Sequence, residues 1–317
     1  MKSFAKINIF LSILGKLPEP NPGGYHEIVS IMQRLHLHDS LDFAITGQSD
    51  KINPQVELVL THENNTAPLA TDNTNIVVRA AKLFLHTFDV GCDIRINLTK
   101  RIPIGAGLGG GSSNAAATLL GLCKLFNLNP PNLMAMGKSL GADVPFFIAA
   151  HESGGTQLAQ GIGEVLSPLN PHPKCFVALA FPGVHVSTRT IFEMLHSGSN
   201  GNFATASMQC NMQAHEFWHS NAPLSNLNNI KDGIAKQDLE CIAQNLHNTF
   251  TPITSQLHPE IMSIISGFCS HGALGAQMTG TGATVFAYFD CKKKAHDACA
   301  ALENMYPDVQ FCVTHIF

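Results

Sequence analysis

Apolar residues recur at every second position through Ile7, Ile9, Leu11 and Ile13, the period of a half-buried strand. The same period returns at Ile94, Ile96 and Leu98 in "CDIRINLTKRI", and the runs "LDFAIT" and "VELVL" predict two more strands. Between them the spacing changes to that of a helix. "NTNIVVRAAKLFLHTF" predicts one, with Asn75 placed to cap it, and Ser113 to Phe126 predicts another, with Leu119, Leu120, Leu122 and Leu125 on its inward side. Pro130 and Pro131 end that second helix. "NLMAMGKSLGADVPFFI" reads as a short helix, a turn at Gly141 and then a buried strand. Small and polar residues at 151–162 mark a boundary, which divides the chain into domains 1–158 and 159–317. Beyond it, strands are expected at "CFVALAFP", "GAQMTGTGATVFAYF" and "VQFCVTHIF", and helices near 188–196, 237–249 and 258–270. The polar stretch 197–221 reads as an irregular loop or short helix.

Composition sharpens this αβ picture. A chain of 317 residues exceeds a typical single core and suggests two domains. A 45% hydrophobic and 13% charged composition is that of an ordinary globular protein, and a net charge of −4 argues against a nucleic-acid binder. The apolar run near the start is interrupted by Lys6, Asn8 and Ser12, so a buried strand fits better than a secretory leader. No run of about 18 apolar residues predicts a membrane span. Nine scattered cysteines without C-x-x-C spacing point to free thiols in a reducing cytoplasm. Sixteen histidines are many, yet no protein-held metal is expected.

The richest local signal is "PIGAGLGGGSSNAAAT", residues 103–118, in which five of the seven residues 105–111 are glycine. Gly105, Gly107 and Gly110 satisfy G-x-G-x-x-G, yet a dinucleotide site also needs an acidic residue about 20 positions on. No Asp or Glu occurs between Ile94 and Ala142. A Walker A loop needs a lysine where Gly111 stands. What remains is a loop whose glycines let backbone N–H groups approach an anion, with the Ser112 and Ser113 hydroxyls and a helix N-terminus behind it. A tightly packed structural turn is the alternative. Asp143 is the first acid after the gap, placed where a carboxylate could accept a hydroxyl proton or merely bond the following backbone. Lys6 lies on an apolar strand, which is costly without an anionic partner unless its head escapes to water.

Four blocks in order, "AKINIFLSILGK", "GGYHEIVSIMQ", "PIGAGLGGGSSNAAA" with "LGADVPFF", and "MTGTGATVF", resemble the galactokinase, homoserine kinase, mevalonate kinase and phosphomevalonate kinase (GHMP) superfamily and span nearly the whole chain. "AKIN" followed by "GYHE" resembles the branch whose acceptor is a cytidine-diphosphate-linked methylerythritol, in the non-mevalonate route to isoprenoid precursors. The resemblance implies an α+β fold. Its amino-terminal domain would resemble domain 2 of ribosomal protein S5, with a left-handed βαβ crossover. A ferredoxin-like carboxy-terminal domain would follow, with the site in the cleft between the two.

The implied cofactor is ATP with Mg²⁺, with no protein metal ligand assigned. Lys6 and Asp143 would be catalytic. Pro103, Ile104, Gly105, Ala106, Gly107, Leu108, Gly109, Gly110, Gly111, Ser112 and Ser113 would cradle the triphosphate, with Asn75 on the adenine side. Tyr25, His26 and Phe192 would hold the cytidine, Asn8 the acceptor end, and Gly280 and Thr281 either the substrate phosphates or a tight strand turn. Another GHMP small-molecule kinase, acting on mevalonate, homoserine or a sugar, lacks a base to stack on such a clamp. A non-catalytic nucleotide-binding module would have no need of Lys6 and Asp143. No nucleic-acid or membrane partner is expected, and the sequence leaves monomer and homodimer both open.

Overall fold

The computed structural model describes residues 1–16, 26–49, 54–63, 69–152, 155–184, 186–197 and 222–316. Its contacts divide the chain into two compact units. The first comprises Met1–Lys6, Arg34–Ile104 and Gly109–Gly155; the second comprises Ile7–Gln33, Gly105–Leu108 and Thr156–Phe317. This division is discontinuous in sequence, whereas a cut at 158/159 is single. Strands β1 (Lys2–Lys16) and β2 (His26–Gln48) are long, and each contributes residues to both units.

In the first unit, β3 (Val56–His62), α1 (Ile76–Thr87) and β4 (Cys92–Lys100) form a βαβ element. Strands β3 and β4 pair in parallel, and β4 pairs antiparallel with β2 from Ser40 to Gln48. The alternation at Ile94, Ile96 and Leu98 does put all three in the core; Val77, Val78 and Phe84 of α1 are buried too, and α1 packs on α2 (Gly110–Leu125). Helix α1 begins where expected, because Asn75 Oδ1 accepts the Val77 N–H at 2.9 Å. Helices α3 (Leu133–Leu140) and α4 (Val144–Glu152) complete the unit.

The expected strand after Gly141 is a correction: those residues are α4. An apolar run of this length has no period that separates strand from buried helix. Pro145, second in α4, suits a first helical turn, where its missing N–H costs nothing. Helix α2 also starts three residues before Ser113, because Gly110 and Gly111 already belong to its first turn.

In the second unit, β7 (Cys175–Phe181), β9 (Gly275–Met278), β10 (Val285–Phe289) and β11 (Gln310–Ile316) make an antiparallel sheet of order β11-β7-β10-β9. Numbered by appearance this is 4-1-3-2, the split-βαβ order of ferredoxin-like sheets. Its core includes Phe268 of α9 (Glu260–Ser270) and Leu302 of α10 (Lys292–Met305), packed with Val285, Ala287 and Phe289. Helices α5 (Thr188–Ser197), α6 (Ala222–Lys236), α7 (Leu239–Gln244) and α8 (Thr251–Leu257) lie between β7 and β9 in sequence. The helix expected over 237–249 is therefore only partly present. Asp238 caps α7 by accepting the Cys241 N–H at 3.0 Å, and by His247–Asn248 the chain has become β8, paired in parallel with Phe10 and Leu11 of β1. Strands β5 (Thr156–Gln160) and β6 (Val165–Pro168) form a hairpin against β2 at Ser30–Gln33. The stretch 197–221 lies outside the described residues except for Ser197, the last residue of α5. Among the described residues no helix is long and apolar enough to cross a membrane.

One buried group makes stability sensitive to acid. His172 is 2% exposed, its Nδ1–H donates to the Pro173 carbonyl at 2.7 Å, and burial pushes its imidazole from 6.5 down to about 4. In this window the unfolded chain binds a proton that the folded chain refuses. Stability contributed by His172 is therefore full above pH 6.5 and falls as pH drops toward 4, by up to about 3 kcal/mol. Urea unfolding at pH 7 and pH 5 should show a smaller difference in His172→Leu than in the unmodified protein.

Candidate active site

Lys6 of β1 and Asp143, the residue immediately before α4, meet in the first unit with Nζ 3.5 Å from Oδ2. The lysine side chain is 6% exposed and the aspartate 34%. A buried ammonium needs such a partner, since desolvation without one costs several kcal/mol. The carboxylate also sits at a helix start, beside N–H groups that have no partner within the helix. Asp143 is therefore the member of the pair open to solvent, and Lys6 the one enclosed.

The last residue before α2, Gly109, packs beside Lys6. It has φ +70°, and a Cβ there would lie 2.8 Å from Phe147 Cζ and 3.1 Å from Lys6 Cγ. Both backbone and space therefore demand glycine. Gly105, Gly107 and Gly109 share φ near +70°, at 72°, 71° and 70°, and alternate with Ala106 and Leu108 in the ordinary region. Alternation of this kind is one of the backbone patterns that can turn N–H groups toward an anion. Behind the loop stand the first N–H groups of α2. Ser112 is half-buried, whereas Ser113 is buried and accepts a hydrogen bond from Ser3 at 2.8 Å, which places it in the frame of the loop. Pro103 and Ile104 lead into the loop, and Ile104 is exposed.

The frame includes a network that sequence reasoning missed. Asp39, fully buried on β2, pairs with Lys100 Nζ at the end of β4 and accepts the Arg101 and Ile102 N–H groups at 2.7 and 2.9 Å. Asn114 of α2 donates to Asp39 and to Ser3, at 2.9 and 2.8 Å. Several cations of the acid-free segment are thus already partnered: Lys100 by Asp39, Arg101 by Glu63 and Arg95 by Glu57. Those three side chains are engaged within the fold, and what the loop itself presents is backbone. Lys100, continuing the buried alternation of Leu98 on β4, was the signal that a carboxylate had to be opposite.

Beside the capped end of α1 an open cavity of about 400 Å³ is lined by Asn73, Arg79, Lys82, Leu83, Ser139 and Leu140. It falls within the roughly 300–1,000 Å³ range of small-molecule sites. Asn75 stands two residues from Asn73, but its side chain is occupied in the turn, accepting from Val77 and donating to the Ala70 carbonyl at 2.6 Å. A Cβ on Gly111 would touch Ile76, the first residue of α1, at 3.9 Å, so the cavity's helix borders the loop directly.

The second unit gathers the other candidates. The His26 and Phe192 rings lie against each other, centroids 4.7 Å apart and tilted by 32°, and Phe192 meets Phe250 edge-on at 5.0 Å. A base cannot slip between His26 and Phe192; it can stack only on a face they leave open. Tyr25 lies outside the described residues. Asn8 is buried, with Nδ2 donating to Ser30 at 2.8 Å and its backbone N–H donating to Thr279 Oγ1 at 2.9 Å. Gly280 and Thr281 belong to the turn between β9 and β10, where the Thr281 hydroxyl meets that of Thr188 at 3.1 Å. This turn holds Gly107, whose hypothetical Cβ would sit 3.3 Å from the Thr279 carbonyl and 3.4 Å from that of Gly282.

Comparison with known proteins shows the family. The profile of the GHMP kinases N terminal domain matches residues 75–151, and that of the GHMP kinases C terminal matches residues 230–308. The chain is 39% identical over 300 residues to a 4-diphosphocytidyl-2-C-methyl-D-erythritol kinase of Lachnoclostridium phytofermentans, covering 94% of this chain and 90% of that protein. It is 35% identical over 314 residues to the same-named kinase of Syntrophus aciditrophicus, covering 98% and 97%. Among solved structures, a 4-(cytidine 5'-diphospho)-2C-methyl-D-erythritol kinase aligns over 99% of this chain and 98% of its own at TM-score 0.70 and 26% identity. A mevalonate kinase of L. major aligns over 100% and 95% at TM-score 0.74 and 16% identity, a likeness of fold alone.

Proposed function

Since the chain belongs to the 4-diphosphocytidyl-2-C-methyl-D-erythritol kinases, within the GHMP kinases, we propose that it transfers the γ-phosphoryl group of ATP to the 2-hydroxyl of that cytidyl substrate, releasing ADP. The step would serve the non-mevalonate route to isoprenoid precursors. The Lys6–Asp143 pair against Gly109 carries this reading.

Phosphoryl transfer asks the protein for position and charge stabilisation more than covalent chemistry. Asp143 takes the proton of the acceptor hydroxyl as its oxygen attacks phosphorus. Lys6 orients the carboxylate, and its charge faces the transferring group. The concave loop 105–109 and the start of α2, from Gly110 to Ser113, hold the triphosphate oxygens through N–H groups that need no reorganisation. The cavity between α1 and α3 suits the nucleoside end, with Leu83 and Leu140 for the base and Arg79 and Lys82 near the ribose and phosphates.

No group of three His, Cys, Asp or Glu that could hold a metal is found among the described residues. The donors at hand, Asp143 and the Ser112 hydroxyl, fit a Mg²⁺ carried in by ATP, which would screen the triphosphate charge. In this proposal residues 1–158 supply ATP binding and catalysis and 159–317 the substrate side. No described cysteine forms a disulfide, which supports a cytoplasmic setting.

A phosphorus-NMR assay of the purified protein with ATP and, in turn, the cytidyl substrate, mevalonate and homoserine tests the proposal. Turnover of the first alone is expected, and no turnover of it overturns the reading. In the cytidine clamp, Phe192→Ala should raise the KM for the cytidyl substrate about 10-fold while kcat changes little, as loss of ring stacking implies. An unchanged KM would remove Phe192 from the clamp.

A further inference from the structure

The turn between β9 and β10 is held by a residue distant in sequence. Asn248 of β8 is 3% exposed and uses its whole amide: Nδ2 donates to the carbonyls of Met278 and Gly280, both at 2.8 Å, and Oδ1 accepts the Phe250 N–H at 2.9 Å. Only a side chain with two donors and an acceptor satisfies all three partners; a carboxylate would set an acceptor against two acceptors.

The turn so fixed is braced from several sides. The Thr279 N–H donates to the Thr284 carbonyl at 3.0 Å, Thr254 Oγ1 donates to the Thr281 carbonyl at 3.0 Å, and the Thr279 hydroxyl accepts the Asn8 N–H. Its far side is the surface on which the first half of the glycine loop rests. Thr284, 1% exposed, donates its hydroxyl to the Ala106 carbonyl at 2.6 Å, and a Cβ on Gly107 would crowd the Thr279 and Gly282 carbonyls at 3.3 and 3.4 Å.

We infer that Asn248, acting through the Met278–Thr284 turn and Thr284, is a positioning residue for the ATP loop. It sets where the Ala106 carbonyl is held and hence where the Gly107 and Gly109 N–H groups point. Asn248 itself reaches no substrate in this scheme. Its role is to keep one wall of the phosphate cradle from shifting, and displacements of about 1 Å in such a frame can cost on the order of 10²-fold in rate. The inference rests on the reading of residues 105–113 as the triphosphate cradle.

The test uses the full chain with ATP and the cytidyl substrate. Asn248→Asp keeps the acceptor for Phe250 and loses both donors. Thr284→Val keeps the volume and loses the bond to Ala106, so one arm survives if the other variant fails to fold. Each should raise the KM for ATP by about 10-fold and leave the KM for the acceptor within about 2-fold. Calorimetric titration with a non-hydrolysable ATP analogue should show the same weakening. A merely structural residue would lower the amount of folded protein and leave both KM values alone. That result, or equal changes in both, overturns the inference. Gly109→Ala is the control for the cradle. If it too leaves ATP affinity unchanged, the reading of 105–113 has failed; if it weakens ATP while Asn248→Asp and Thr284→Val do not, only the anchoring role has failed.

Discussion

Asp143→Asn should lower kcat by at least about 10²-fold, the size of a general-base contribution, while binding of ATP stays near normal. Asparagine matches aspartate in shape but cannot take the acceptor proton, so the loss falls on the chemical step. The change also removes the charge that Lys6 faces at 3.5 Å. The resulting drop in stability should be smaller than for a fully buried pair, because water reaches a third of the Asp143 side chain and can screen the lysine. Single-turnover kinetics separates the effects: the phosphoryl-transfer step slows, and analogue titration shows the nucleotide still bound. Near-normal turnover would exclude Asp143 as the base.

Gly109→Ala should strike nucleotide binding instead. Alanine at φ +70° costs roughly 1–2 kcal/mol in backbone strain. Its methyl would lie 2.8 Å from Phe147 Cζ and 3.1 Å from Lys6 Cγ. Phe147 is part of the packed α4, so relief must come mainly from the loop, which moves away from Lys6 and takes its N–H groups with it. A fall in kcat/KM for ATP of about 10²-fold is expected from such a displacement, with the unfolding midpoint only modestly lowered. Unaltered ATP kinetics would mean that the tight approach at Gly109 is packing without consequence for the reaction.

Much of this was readable in the chain because the signals were local and redundant. Period-two alternation marked β1 and β4, and Asn75 both capped α1 and announced it. Lys6 and Asp143 were legible as oddities, a lysine on an apolar strand and the first acid after a long gap, and the structure pairs them. Where the reading failed, the deciding force was tertiary. The apolar run 144–148 has no period of its own, and packing made it helical. Helix α6 is mostly polar on its exposed side and stood next to a long polar stretch that obscured it. Asp39 and Asn248 could not be found by motif, because their partners lie 61 and 30 residues away and the bonds are made largely to backbone groups. Lys100 signalled that a buried carboxylate was needed, but only the folded chain shows that it is Asp39, and nothing in the sequence pointed to Asn248.

The alternation of φ in the loop also sets how the protein can vary there. Positions 105, 107 and 109 admit little but glycine, and Leu108 is 1% exposed and fixed by its packing. Ala106 alone keeps an ordinary backbone and a half-open side chain, while only its carbonyl is engaged, by Thr284. Drift among descendants of this chain, or diversity introduced into it by a designer, therefore has one open site in five consecutive residues. Variants recovered from a library randomised over 105–109 and selected for growth should differ mainly at 106.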